Sequence, residues 1–226
     1  GRDKIMLKKT LITGLTGMVG SHLADFLLKE TDWEVYGLCR WRSNMENIEH
    51  LLDNSRVHIL YGDLNDSASL NKAINECLPD YVFHLAAQSY PHTSFDSPAD
   101  TLSTNIIGTV NLLEEIRSLR TAGIVNPIIH VCASSEVFGR VSKEKIPIIE
   151  DENFHPASPY AISKVGTDLV GRFYGEAYGM AVMTTRMFTH TGPRRGDVFA
   201  ESSFAKQIAM IEADLLDPKI NVGNLE

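Results

Sequence analysis

The sequence is poor in cysteine and carries no excess of basic residues, and each shortage excludes a class of protein. Its three cysteines, Cys39, Cys77 and Cys132, are too few and too far apart for a disulfide framework or a Cys-x-x-Cys metal clip. The 29 acidic residues against 21 lysines and arginines give the 226-residue chain a net charge of −8, which disfavours a nucleic-acid partner. We therefore predict a protein of the reducing cytoplasm that does not bind nucleic acid.

Long apolar runs and clusters of metal ligands are missing as well. No run approaches the roughly 20 apolar residues of a membrane span, and residues 1–9 lack the apolar stretch of a signal peptide. The eight histidines form no His-Glu-x-x-His or similar pattern. We accordingly expect neither a membrane segment nor a metal site.

What the sequence does contain is an alternation of short apolar runs with longer segments of helical periodicity. The runs lack strict polar alternation, which suits strands covered on both faces. They occupy residues 10–13, 34–39, 57–61, 81–87, 127–133 and 181–188. The helix-like segments occupy residues 18–30, 66–78, 98–121 and 157–178. This order predicts an α/β fold with a doubly wound parallel sheet, the Rossmann arrangement.

The alternating pattern breaks after Phe188. We predict a dinucleotide-binding domain at residues 1–188 and a smaller C-terminal lobe at residues 189–226, with a helix near 201–216. No helix-capping signal follows Val222. We therefore expect the second lobe, which would contribute to substrate binding, to be incomplete.

A glycine-rich turn follows the first predicted strand and opens the first predicted helix. Glycines allow a tight turn and let backbone N–H groups approach a pyrophosphate at the helix N-terminus. A glycine triplet alone is also typical of a simple tight turn, but a strand before it and a helix after it favour dinucleotide binding. The candidate cofactor contacts of this turn are Gly14, Thr16, Gly17, Met18, Val19 and Gly20.

The residue that ends the second strand indicates which dinucleotide is bound. An acidic residue about 20 positions after the glycines usually holds the ribose of NAD. Here that position is Arg40, and Arg42, Ser43 and Asn44 follow it. A guanidinium matches a 2′-phosphate, so we predict NADP rather than NAD, although a basic loop in solvent would have the same composition.

Tyr160 and Lys164 lie four residues apart at the start of a predicted helix, and Ser134 ends the preceding strand. Positions i and i+4 share a helix face, so an ammonium beside the phenol is expected to lower its pKa from about 10. Such a tyrosine can take the proton of a sugar hydroxyl while hydride leaves the same carbon, and the serine hydroxyl can hydrogen-bond that oxygen. Alone, such a pair usually belongs to a helix surface; after a glycine-rich turn it predicts a catalytic site.

These motifs together resemble the extended short-chain dehydrogenases/reductases, the family of nucleotide-sugar epimerases and dehydratases. The matching segments are residues 14–20, 62–64, 84–89, Asn105 with Gly108 and Thr109, 134–139 and 158–164. Within that family the sequence is most similar to the GDP-mannose 4,6-dehydratases. That second similarity rests on residues 87–89, 94–95, 192–196 and 222–225.

The resemblance implies further site residues and an assembly. It implies a homodimer or homotetramer formed through helices 98–121 and 157–178, with a nucleotide sugar as substrate. The cofactor contacts that it implies are Asp63, Leu64, Leu85, Ala86, Ala87, Ser89, Tyr160, Lys164, His190 and Arg195. His190 and Arg195 are carried over although the family's usual Asn-His pair is Thr189-His190 here.

Glu136 would separate a dehydratase from an epimerase, because dehydration needs a group that removes the C5 proton and assists loss of the C6 hydroxyl. One carboxylate can perform both tasks. We therefore predict NADP-dependent 4,6-dehydration of a GDP-sugar, GDP-mannose or a close relative, with Ser134, Glu136, Tyr160 and Lys164 as catalytic residues. The alternatives are an NADPH-dependent reductase of a 4-keto-6-deoxy sugar, a nucleotide-sugar epimerase and a non-catalytic NADP-binding regulator.

Overall fold

Six parallel strands form one sheet in the order β3-β2-β1-β4-β5-β6. The structure, a computed structural model, describes residues 6–224, so residues 1–5 and Leu225 mentioned above lie outside its described part. The strands are β1 (Lys9–Thr13), β2 (Glu34–Cys39), β3 (Val57–Tyr61), β4 (Tyr81–His84), β5 (Ile128–Cys132) and β6 (Ala181–Thr185). The predicted doubly wound parallel sheet is confirmed.

Helices on both faces of this sheet connect its strands, and one further helix follows β6 along the chain. They are α1 (Met18–Glu30), α2 (Ser67–Cys77), α3 (Pro91–Asp96), α4 (Pro98–Leu102), α5 (Gly108–Thr121), α6 (Pro159–Tyr178) and α7 (Ala200–Glu212). The helix predicted at 98–121 is interrupted by a π-helical turn, Ser103–Ile107. The strand predicted at 81–87 ends at His84, because the amide of Ala86 turns to the Thr13 hydroxyl and leaves the strand ladder.

Two apolar clusters cover the two faces of the sheet. Successive side chains of a strand point to opposite faces, so Leu11 of β1 joins one cluster and its neighbour Ile12 joins the other. Leu112 and Ile116 of α5 pack in the first cluster, and Val35 of β2 packs in the second. Burial on both faces explains why the strand sequences show no polar alternation.

The chain divides into two compact units, the first ending at Thr189 and the second beginning at His190. The first holds the sheet and both apolar clusters. In the second, α7 has no buried residue. That the second unit belongs to a substrate-binding lobe stays a prediction. Within residues 6–224, no helix is both long and apolar enough to cross a membrane.

Candidate active site

The glycine turn between β1 and α1 has a backbone that only glycine fits at two positions. Gly14 has φ +77°, which L side chains rarely adopt, and a Cβ on Gly20 would lie 2.1 Å from the Gly14 carbonyl oxygen. α1 begins after Gly17, and no side chain caps its first amides. Those amides are therefore available to a bound phosphate.

The loop after β4 lies against this turn. The backbone N–H groups of Leu85 and Ala86 both donate to Thr13 Oγ1 at 3.1 Å. A Cβ on Gly14 would lie 2.9 Å from the Ala86 nitrogen. The structure thus brings the predicted contacts Leu85 and Ala86 beside the glycine turn, and Ala87 and Ser89 follow on the same loop.

Arg40 follows β2, at the carboxyl ends of the parallel strands, where the glycine turn also lies. In the parallel register Thr13 pairs with Leu38, so Arg40 lies two residues beyond the strand position beside the end of β1. Arg40 is exposed, and the guanidinium of Arg42, also exposed, lies 4.4 Å from the Trp41 ring centroid. The first acidic residue after β2 is Glu46. The loop therefore offers cations and no carboxylate where a ribose 2′ substituent would lie.

Asp63 and Leu64 follow β3, and the first is exposed whereas the second is buried. The Asp63 carboxylate is exposed and accepts the Asn65 N–H at 2.8 Å. The Leu64 side chain is buried, and a Cβ on Gly108 would lie 2.8 Å from its Cβ. Packing against α5 is thus what the structure shows for the Leu64 side chain, and its predicted cofactor contact stays a prediction.

Ser134 connects the other predicted catalytic groups. It follows β5 and caps the short 3₁₀ helix Ser135–Phe138, since its Oγ accepts the Glu136 N–H at 3.2 Å. Its hydroxyl also lies close enough to the phenol of Tyr160 to lower the pKa of that phenol by hydrogen bonding. Glu136 itself is exposed and lies close enough to Tyr160 for its charge to raise the pKa of the phenol. Ser134, Glu136 and Tyr160 therefore share one site.

Tyr160 is placed by the first turn of α6. Pro159 occupies the first helical position, and Ser158 Oγ accepts the Ala161 N–H at 3.0 Å, which caps the helix. Tyr160 is 9% exposed. Burial raises the pKa of Tyr160 to about 12, and the hydrogen bond from Ser134 opposes that rise in part.

The expectation that the phenol of Tyr160 has a lowered pKa beside Lys164 is wrong. Lys164 is buried, and its Nζ donates to the Cys132 carbonyl oxygen at 3.0 Å and lies 5.9 Å from the Tyr160 ring centroid. Burial lowers the pKa of this ammonium and raises that of the phenol. Desolvation thus gives the phenol a raised pKa, the opposite of the shift that the i, i+4 spacing suggested.

A buried ion pair next to the helix turn of Lys164 was not predicted from the sequence. Asp168, one turn after Lys164, accepts from Arg186 Nε at 2.8 Å, and its side chain is 1% exposed. Arg186 Nη1 also donates to the Glu150 carbonyl at 2.5 Å, and its guanidinium lies 5.5 Å from the Phe138 ring centroid. Because Phe138 ends the 3₁₀ helix that carries Glu136, Arg186 ties that helix to α6.

His190 and Arg195 belong to the second unit. The Arg195 side chain donates to the His190 carbonyl oxygen, so these two residues contact each other. Their predicted contacts with the cofactor stay predictions. No group of three or more potential metal ligands occurs among residues 6–224.

This parallel sheet, the glycine turn and the Ser134-Tyr160-Lys164 set define an extended short-chain dehydrogenase/reductase. Comparison with known proteins gives the particular family. The family model described as GDP-mannose 4,6 dehydratase matches residues 11–226. The chain belongs to that family, which confirms the resemblance inferred from the sequence motifs.

Curated relatives and solved structures agree with this assignment. The chain is 37% identical to the GDP-mannose 4,6-dehydratase of Vibrio cholerae over 98% of this chain and 60% of that protein. It is 37% identical to the human GDP-mannose 4,6 dehydratase over 96% of this chain and 59% of that protein. The chain thus spans about three fifths of the length of these curated relatives.

Two of the solved structures show how far the fold is shared. RMD from Pseudomonas aeruginosa, complexed with NADPH, aligns with a TM-score of 0.77 and 32% identity over 96% of this chain and 65% of that chain. The dTDP-glucose 4,6-dehydratase DesIV from Streptomyces venezuelae, with NAD and TYD bound, aligns with a TM-score of 0.80 and 28% identity over 88% of this chain and 62% of that chain.

Proposed function

We propose that this protein catalyses the NADP-dependent 4,6-dehydration of a GDP-sugar, GDP-mannose or a close relative, to the 4-keto-6-deoxy sugar. Membership of the dehydratase family supports the reaction and the substrate class. The observation that carries the proposal is the position of Ser134, which lies close enough to Tyr160 to lower the pKa of its phenol and whose Oγ caps the helix of Glu136. A base for C4 and a carboxylate for C5 and C6 therefore lie in one site.

The residues at the sheet edge fit a nicotinamide dinucleotide. The crowded Gly14–Gly20 contact leaves no room for side chains, as a pyrophosphate-binding turn requires. The exposed Arg40 and Arg42 favour the 2′-phosphate of NADP. RMD, one of the similar proteins, was solved with NADPH, whereas DesIV carries NAD. The proposed contacts are those predicted from the sequence, from the glycine turn through Asp63 and the loop after β4 to His190 and Arg195.

Tyr160 acts on the C4 hydroxyl. When bound, NADP⁺ would supply a positive charge and the acceptor for the C4 hydride; return of that hydride to C6 would be accompanied by proton uptake at C5, which balances the proton that Tyr160 removes from the C4 hydroxyl. Because burial raises the pKa of Tyr160 to about 12, its anion depends on hydrogen bonding, and the Ser134 hydroxyl donates to it. Lys164 anchors the helix beneath the tyrosine through the Cys132 carbonyl and adds a buried cation to the site.

Glu136 acts on C5 and C6. Once C4 is a ketone, the C5 proton is acidic, and a carboxylate can remove it and then protonate the departing C6 hydroxyl. Glu136 is exposed, as a group that must reach substrate should be. Its backbone is fixed by the Ser134 cap, and Arg186 contacts the end of the same short helix.

A product assay distinguishes this proposal from its alternatives. Incubation with GDP-mannose and catalytic NADP should give a 4-keto-6-deoxy sugar with no net change in NADPH absorbance. A reductase would instead oxidise NADPH stoichiometrically with a 4-keto-6-deoxy sugar. An epimerase would change the configuration at C4 and keep the C6 hydroxyl. A protein that bound NADP and converted no nucleotide sugar would be a regulator and would contradict the proposal.

Exchanging Glu136 for glutamine isolates the elimination step. Glu136→Gln should abolish water loss, leave NADPH affinity unchanged and allow C4 oxidation to continue, so that NADPH absorbance rises by up to one equivalent per site. Glu144→Gln is a matched control, because Glu144 is an exposed carboxylate on another 3₁₀ helix. Normal turnover by Glu136→Gln would remove Glu136 from the mechanism.

The assembly is proposed to be a homodimer through α6. Three apolar side chains along this helix, Ile162, Leu169 and Phe173, are about half exposed. They recur at i, i+7 and i+11, which places them on one stripe that a second copy of the helix could cover. Light scattering should show a dimer or tetramer that Phe173→Arg dissociates. A monomer of the unmodified protein at micromolar concentration would contradict this assembly.

A further inference from the structure

His84, which ends β4, is a buried histidine that no step of the proposed reaction uses. It is 3% exposed, and each of its ring nitrogens meets a threonine hydroxyl. Nδ1 lies 2.7 Å from Thr13 Oγ1, and Nε2 lies 2.9 Å from Thr109 Oγ1. The partners of those two hydroxyls determine which nitrogen carries the proton.

The Thr13 side fixes Nδ1 as an acceptor. Thr13 Oγ1 accepts two backbone N–H groups, that of Ala86 and that of Leu85, which is shared with the Thr13 carbonyl oxygen, so its lone pairs are directed at these amides. The remaining function of the hydroxyl is to donate its single hydrogen, and His84 Nδ1 is the acceptor in contact with it. A proton on Nδ1 would face a hydroxyl with no free lone pair.

The Thr109 side leads independently to the same tautomer. The Thr109 hydroxyl donates to the Asn105 carbonyl oxygen at 2.7 Å, so toward His84 its oxygen can only accept. His84 Nε2 must therefore carry the proton. Both neighbours require a neutral ring with hydrogen on Nε2, and burial agrees because it lowers the pKa of His84 to about 3.

This chain of hydrogen bonds extends to the catalytic helix. The Asn105 side chain accepts the Gln88 N–H at 2.9 Å and donates to Ser163 Oγ at 2.8 Å. Ser163 in turn donates to the Tyr160 carbonyl oxygen at 2.6 Å. Asn105 lies in the π-helical turn Ser103–Ile107. Hydrogen bonds thus lead from Thr13, directly before the glycine turn, to the Asn105 backbone carbonyl, and from the Asn105 side chain on to the backbone of the tyrosine.

We propose that His84, held as the neutral Nε2–H tautomer, is a positioning residue that keeps the glycine turn and the loop after β4 in register with the α6 turn of Tyr160 and Lys164. The neutral ring accepts from Thr13 and donates to Thr109. A doubly protonated ring would place two hydrogens face to face at Thr13, and the Nδ1–H tautomer would in addition place two lone pairs face to face at Thr109. The effect on catalysis rests on the proposed function, whereas the tautomer and the coupling of the two loops do not.

Nitrogen NMR of the histidine-labelled protein tests the tautomer directly. The ¹⁵N shifts of a protonated and an accepting ring nitrogen differ widely, so His84, assigned by its loss in His84→Gln, should show a protonated Nε2 and a bare Nδ1. That pattern should not change between about pH 5 and 8, where an ordinary histidine titrates. A protonated Nδ1, or titration of His84 in this range, would overturn the proposal.

Hydrogen exchange of two Thr109 variants tests the coupling. Thr109→Val keeps the shape of the side chain and removes the hydroxyl, whereas Thr109→Ser keeps the hydroxyl. In Thr109→Val, amide exchange in the loop after β4, at Leu85 and Ala86, should become at least roughly tenfold faster. Thr109→Ser should restore protection. Ile116→Val, two turns along α5 in the apolar cluster, controls for general loosening.

NADPH binding separates a failure of this inference from a failure of the proposed function. If the unmodified protein binds NADPH, Thr109→Val should weaken binding roughly tenfold and Thr109→Ser should not. If the unmodified protein binds none, the proposed function fails, and the NMR and exchange results still decide the role of His84. Equal exchange at Leu85 and Ala86 in Thr109→Val and Ile116→Val would show that His84 fills space only.

Discussion

The two halves of the sheet serve the site in different ways. In the half formed by β1 to β3, the described buried polar side chains are Thr10, Thr13 and Ser21, and the site is made by backbone at the glycine turn. In the half formed by β4 to β6, ten buried polar or charged side chains occur among the described residues, including Lys164 and Asp168.

This difference agrees with the role proposed for each half. Backbone amides bind a phosphate without any side chain, so the first half needs close approach and tolerates little bulk. Acid–base chemistry needs side chains at fixed positions, and a buried polar side chain costs free energy unless it has partners. We therefore expect steric changes to damage the first half and loss of a polar partner to damage the second.

The largest effect should come from the phenol of the second half. Tyr160→Phe should lower the rate of GDP-mannose dehydration by about 10²–10⁴-fold, because it removes the proton-transferring group. Tyr174→Phe is a matched control on the same helix, since its hydroxyl donates to Glu114 at 2.6 Å. Steady-state assays and thermal unfolding of both variants should show a rate loss in the first and only a stability loss in the second. A mild rate effect of Tyr160→Phe would contradict the proposed role.

The next effect concerns the buried ion pair. Asp168→Asn should lower the free energy of unfolding by about 3–5 kcal/mol, because it leaves the guanidinium of Arg186, 13% exposed, without its charge partner. Arg172→Gln is the control. Arg172 is 48% exposed and lies 3.4 Å from the same carboxylate, so its loss should cost less than about 1 kcal/mol. Urea unfolding measures both values, and equal losses would show that Arg186 is not the main partner.

The sequence predicts best those parts of the site whose residues lie within one or two turns of each other. The glycine turn, the Tyr160-Lys164 pair and the Ser134-Glu136 segment each lie in a short local pattern, and the structure places them at one edge of the sheet. Strand ends were less predictable. The strand in the run predicted to reach Phe188 ends at Thr185, although the Met187 carbonyl oxygen beyond it still accepts the Ser135 N–H at 3.0 Å.

Long-range partners could not be predicted from the local patterns. Thr13 and His84 are 71 residues apart, and Asp168 and Arg186 are 18 apart, so no spacing rule connects them. The direction of the pKa shift of Tyr160 was also missed, because it depends on how deeply the folded chain buries the phenol. Motif spacing therefore shows which groups meet, whereas burial determines how they titrate.

The half of the sheet formed by β1 to β3 should lose stability when a side chain is added at a crowded glycine. Gly20→Ala puts a Cβ 2.1 Å from the Gly14 carbonyl oxygen, so the turn must shift, and we expect a loss of about 1–3 kcal/mol in unfolding free energy and weaker NADPH binding. Gly17→Ala is the control, because its Cβ would meet the same oxygen at 3.4 Å, an ordinary contact. Calorimetry and NADPH titration compare the two. Equal behaviour would show that the first half tolerates bulk after all.

The smallest effect is a pH dependence from the second half, carried by His84. Burial, with Lys164 and His130 nearby, lowers the pKa of His84 to about 3 in the folded chain, whereas an unfolded histidine has a pKa of about 6.5. Below pH 6.5 the unfolded chain takes up a proton that the folded chain does not. Stability from this group is therefore complete above about pH 6.5 and decreases as the pH falls toward 3.

Between pH 7 and pH 5 the free energy of unfolding should fall by about 2 kcal/mol because of His84, since each pH unit below about 6.5 costs about 1.36 kcal/mol. Denaturant unfolding at both pH values should show that loss. In the His84→Gln variant the loss between the two pH values should be smaller by this amount, whatever the stability of the variant at pH 7. The half-buried His130, whose pKa burial also lowers, contributes in the same direction in both proteins and cancels in the comparison. An equal pH dependence in the two proteins would mean that His84 accepts a proton in the folded chain, which the directional hydrogen bonds of Thr13 and Thr109 oppose.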